Sequence, residues 1–100
     1  MALDRIINFD RRPSPKIVEQ VVTSFFGEWP GVIKLDRTSL FVDIPGKPSN
    51  PVYREERFIE IYLGVDAINV MTRQADNLVN SIADGLAKYL ANVMDGRLEE

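Results

Sequence analysis

The stretch from Arg57 to Thr72 constrains this chain most, because its apolar side chains alternate on both sides of a single turn signal. Ile59, Ile61 and Leu63 alternate with Phe58, Glu60 and Tyr62; after Gly64-Val65, Ile68 and Val70 alternate with Ala67, Asn69 and Met71. A period of two is the mark of a half-buried strand, and two such runs joined by a short glycine-containing link read as a β-hairpin. A two-residue turn at Gly64-Val65, with Gly64 supplying the φ > 0 of a type II′ turn, opposes Ile61 to Ile68 and Ile59 to Val70. One face of the hairpin is then wholly aliphatic. The other carries Phe58 opposite Met71, Glu60 opposite Asn69 and Tyr62 opposite Ala67, and is half apolar.

The aliphatic face needs a cover, and two amphipathic segments can supply it. Thr72 can cap a helix from Arg73 to Met94 whose core stripe is Leu78, Ile82, Leu86, Tyr89 or Leu90, and Val93. Upstream, Ser14 as N-cap and Pro15 at the first helical position start a second helix. Its stripe is Ile17, Val18, Val21, Val22, Phe25 and Phe26, and Gly27 ends it.

Between the helices lies another hairpin, Ile33 and Leu35 against Leu40, Val42 and Ile44, joined through Asp36-Arg-Thr-Ser39. An aspartate opening a turn accepts a hydrogen bond from the backbone two residues on. Pairing Leu35 with Leu40 and Ile33 with Val42 keeps one face aliphatic and puts Val32, Lys34, Phe41 and Asp43 on the other. Residues 1–12 form an N-terminal arm, in which Leu3 to Phe9 suits a short edge strand or a helical turn equally. Residues 45–56 form a proline-rich lip, with Pro45, Pro48 and Pro51 stiffening a long connection.

These segments predict one α+β domain over residues 1–100: a two-layer sandwich of order αββββα, with a four-stranded antiparallel sheet and two helices on one face. A chain of 100 residues buries about 60–70% of its unfolded surface without cross-links. None are available, because there is no cysteine. The absence of histidine as well removes the commonest general base and metal ligand, so no metal or cofactor is expected. A net charge of −3 argues against nucleic acid as partner. No apolar run reaches the length of a membrane span and Met1-Ala-Leu-Asp-Arg5 is no signal peptide, so the expected setting is cytoplasmic, away from membranes.

Val32, Phe41, Phe58, Tyr62 and Met71 share the uncovered sheet face. Single exposed apolar residues are ordinary, but clustered ones mark an interface. The reading is a non-enzymatic protein-interaction module: a homodimeric adaptor or chaperone-like protein that binds a protein or an extended peptide, for which an exposed strand edge suits strand addition. The alternative is a small-molecule site between the lip and this face, lined by Tyr53, Arg54, Arg57 and Glu60. No catalytic residue is assigned. Fifteen acids among twelve bases make carboxylate neighbours routine. Gly46-Lys47 lacks the other residues of a phosphate-binding loop, and Arg11-Arg12 reads as solvated linker charge.

Overall fold

The computed structural model describes residues 2–27, 32–44, 57–73 and 75–99, with backbone and pairing alone for residues 2 and 32–35. The elements run β1 (Ala2–Asn8), α1 (Pro15–Phe26), β2 (Val32–Asp36), β3 (Ser39–Asp43), β4 (Phe58–Leu63), β5 (Ala67–Arg73), α2 (Asn77–Val93) and β6 (Arg97–Leu98). The protein is α+β, and its sheet is antiparallel in the order β2-β3-β4-β5-β1-β6. Among the described residues six strands stand where four were expected, the sixth only two residues long. The added full-length strand is the N-terminal arm. β1 pairs with β5 from Ala2↔Arg73 to Asn8↔Ala67 and lies inside the sheet rather than at its edge. Seven residues suit a strand or a helical turn, and the backbone of β5, which needs a partner on its second side, settles the conformation of the arm.

Both hairpins form with registers that differ from those read off the pattern. In β4–β5, Ile61 faces Val70 and Leu63 faces Ile68. Gly64 N–H donates to Ala67 O (2.7 Å), leaving Val65 and Asp66 at the tip, and Gly64 does not take positive φ. The shift is two residues, and because side chains alternate with period two it leaves every residue on its expected face. In β2–β3, Asp36 faces Ser39, and an irregularity between Lys34 and Asp36 takes up the extra residue. Val32 therefore stands opposite Val42, and Ile33 opposite Phe41. This one-residue difference does exchange the faces. The turn chemistry is as expected: Asp36 Oδ1 accepts from Thr38 N–H (2.8 Å) and Thr38 Oγ1 (3.0 Å). The Thr38 backbone and hydroxyl bonds hold that carboxyl below its usual range.

Helix α1 begins after Ser14, whose extended backbone (φ −70°, ψ 123°) is that of a cap although its hydroxyl makes no capping bond; Pro15 supplies the first helical φ. Gly27 (φ 67°) ends it, donating to Thr23 O at 2.8 Å. Helix α2 is capped by Asp76, which accepts from Val79 N–H (2.9 Å). Thr72, the expected cap, instead stays in β5 and donates to Asn80 Oδ1 (2.7 Å). The buried residues of α2 are Val79, Ala83, Leu86, Ala87 and Leu90, while Leu78 and Val93 are about half exposed. The stripe is turned by one residue from that traced by the large side chains, because Ala83 and Ala87 let the helix lie close to the sheet.

The core joins Val18 and Val22 of α1 and these α2 residues to one alternate set of strand positions: Ile7, Leu40, Val42, Ile59, Ile61, Ile68 and Val70, continued by Ile44. Polar bonds fasten its margins. Arg5 of β1 ion-pairs with Asp84 and donates to Thr72 Oγ1 (3.1 Å) and Asn80 Oδ1 (3.0 Å), tying the arm to both β5 and α2. Arg57 is buried, donates to Ile44 O (3.2 Å) and pairs with the capping Asp76. Burial alone raises the Asp76 pKa, but the bonds from Val79 N–H and from Arg57 outweigh it and hold the carboxyl below its usual range.

The C-terminal end of α2 is a Schellman motif. Asp95 takes a left-handed conformation (φ 56°) and Gly96 N–H donates to Ala91 O at 2.9 Å. No helix among the described residues is long and apolar enough to cross a membrane.

Candidate interaction surface

The strand residues that do not enter the core form the opposite face of the sheet, and the register fixes which of them are neighbours. Asp43 lies beside Phe58. The next row runs Phe41, Glu60, Met71, Asp4, and the row beyond it Ser39, Tyr62, Asn69, Ile6. Ala67 and Asn8 follow at the turn end. Phe41, Phe58, Tyr62 and Met71 are each half-buried. The Phe41 and Phe58 rings pack with centroids 4.6 Å apart and planes inclined by 59°, a tilted contact of the kind aromatic quadrupoles favour.

A polar cluster occupies the middle of this face. Glu60 accepts from Tyr62 Oη through one oxygen (3.0 Å) and from Arg73 Nε through the other (2.9 Å). Burial raises the Tyr62 pKa, and the Glu60 carboxylate beside it adds to the rise. The same carboxylate raises that of Arg73. Asn69 Nδ2 donates to Asp4 Oδ1 (3.0 Å), while Asn69 Oδ1 is buried with no hydrogen-bond partner. With both oxygens of Glu60 engaged, the cluster holds its own side chains in place.

Of the surface read from the sequence, Phe41, Phe58, Tyr62 and Met71 come together. Val32 does not join them: its register position opposite Val42 belongs to the other set, and Ile33 stands opposite Phe41 in its place. Of the proposed ligand lining, only Arg57 and Glu60 fall within the described residues. Tyr53 and Arg54 lie outside the described residues, and Arg57 and Glu60 point to opposite sides of the sheet, one to the α2 cap and the other to Tyr62 and Arg73. The sequence reading missed the share of β1, namely Asp4, Ile6 and Asn8. The letters carry no clear signal of it, since Arg5 interrupts the apolar set Leu3 and Ile7 and Ile6 interrupts the polar set Asp4 and Asn8.

Elsewhere, a cavity of about 680 Å³ lies against the outer side of α1, with Lys16, Glu19, Gln20, Thr23, Ser24 and Gly27 in its wall. Among the described residues no three His, Cys, Asp or Glu side chains gather where they could hold a metal ion. Comparison of the chain with protein-family models, with curated proteins and with solved structures finds no match.

Proposed function

We propose that this chain is a non-enzymatic protein-interaction module, a two-layer sandwich whose helix-free sheet face docks another polypeptide. The observation that carries the reading is the packed pair Phe41–Phe58, continued by Tyr62 and Met71 on one face to which neither helix contributes a core residue. Apolar groups gathered on one sheet face, here ranged around the Glu60 cluster, mark an interface more often than scattered ones, and aromatic residues and methionine are the types enriched there. A second copy of the chain, giving the homodimer, and a different protein or extended peptide are both occupants such a face can take.

The test is sedimentation of the purified chain over a concentration series, together with the Phe41→Glu/Tyr62→Lys variant. A mass or a partner complex that the wild type shows and the variant loses supports the reading. If the variant matches the wild type in both respects while keeping its fold, this face is not the docking surface.

A further inference from the structure

We infer that the occupant of this face is a cationic polypeptide segment, with lysine or arginine on both sides of an apolar anchor, rather than a second copy of the chain. The inference rests on the docking role proposed above and adds the chemistry of the partner. The face is rich in acceptors and poor in donors. Asp43 is exposed beside Phe58 and makes no ion pair among the described residues. Asp4 stands at the other end of the adjoining row with only an amide donor. Among the described residues the cations there are already engaged: Arg73 by Glu60, and Arg97, opposite Asn8, by Asp10.

Such a surface does not complement itself. Packing two copies face to face offers Asp4 and Asp43 no free cation, because Arg73 and Arg97 are already paired within each copy. Carboxylates desolvated without a cationic partner oppose association. A partner that brings ammonium or guanidinium groups satisfies the exposed carboxylates of Asp4 and Asp43, and its apolar side chains cover Phe41 and Met71. From β3 to β1 there are three strand spacings, about 14 Å. Four or five residues of extended chain bridge that gap, so Asp43 and Asp4 set the separation of the two cationic groups.

The test uses the full chain and a fluorescent peptide of about twelve residues, long enough to reach across the face when extended, with lysines flanking a Leu-Phe-Leu anchor. A second peptide carries glutamates in place of the lysines. We expect the lysine peptide to bind at least tenfold more tightly than its glutamate counterpart, and the Asp4→Lys/Asp43→Lys variant to reverse that preference. The Glu19→Lys/Asp95→Lys variant changes the net charge equally but lies off the face, on α1 and at the end of α2, and should leave it in place. Equal loss in the off-face variant means that overall charge is being read, and overturns the inference. Equal binding of both peptides, lost on Phe41→Ala, overturns the charge assignment while leaving the docking role standing. Indifference of every peptide to every face substitution, with unchanged mass in Phe41→Glu/Tyr62→Lys, removes both.

Discussion

Replacing Asp76 separates two contributions that meet on one carboxylate. One of its oxygens caps α2 by accepting from Val79 N–H, and the other pairs with Arg57, whose side chain is 9% exposed against 24% for Asp76. Losing an N-cap acceptor costs about 0.5–2 kcal/mol. Removing one partner of a fully buried ion pair costs about 3–5 kcal/mol; here Asp76 is partly exposed and Arg57 keeps its bond to Ile44 O, so the pair contributes less, about 1–2 kcal/mol. Asp76→Ala, which loses both, should therefore destabilise the fold by about 2–4 kcal/mol. Asp76→Asn should cost about 1–2 kcal/mol, because asparagine caps as well as aspartate but brings no charge.

The assay is urea unfolding of the three proteins at neutral pH and again near pH 3. The Asp76 pKa is lowered in the folded state, so its contribution is fully present above the unfolded value of about 3.9 and is lost as pH falls through the folded value. The gap between wild type and Asp76→Asn should thus narrow below about pH 4. Equal destabilisation by alanine and asparagine at neutral pH would refute the capping contribution. A gap that ignores pH would refute the part assigned to charge.

Gly96 and Asp95 give opposite expectations. A Cβ on Gly96 would stand 2.5 Å from Ile7 Cγ2 and under 3 Å from two ring carbons of Phe9, so Gly96→Ala should cost about 1–3 kcal/mol by overpacking, read by thermal melting. Asp95→Gly frees a left-handed position from its side-chain penalty and should raise stability by about 0.5–1 kcal/mol. The phase of α2 is tested by a pair of substitutions: Leu78→Ser should fall within about 0.5 kcal/mol of wild type, whereas Val79→Ala, one residue on, should cost about 2 kcal/mol or more.

Much of the sheet was legible because alternation has a short, rigid period. Faces survived in β4 and β5 even though each pairing shifted by two, since the letters fix parity while the turn fixes register. In β2 the irregularity near Leu35 reversed the parity, and nothing in Ile33-Lys-Leu35 announces it. The helices were legible as elements and less so in their rotation. Large side chains at Leu78 and Val93 attracted the stripe, while the sheet actually receives Ala83 and Ala87, whose small size lowers their weight in any hydrophobic pattern. Thr72 and Asp76 both suit an N-cap; the difference is that β5 extends far enough to claim Thr72, a fact of pairing with β1. The aromatic part of the candidate surface was visible from the sequence, but its carboxylate at Asp4 depended on where the arm would dock.

The pairing of β1 with β5 also sets an order of events during synthesis. The residues it joins lie about 60 to 70 positions apart in the chain, so β1, once synthesised, has no β5 edge to join until β5 has been made. At about 5–20 residues per second that interval lasts about 3–14 s. Leu3, Ile6 and Ile7 are without their final neighbours throughout it. Closing so distant a contact late also places the protein among the slower folders of its size, in the range of about milliseconds to seconds. The nascent chain is therefore most exposed to capture by other molecules before its own last hairpin arrives.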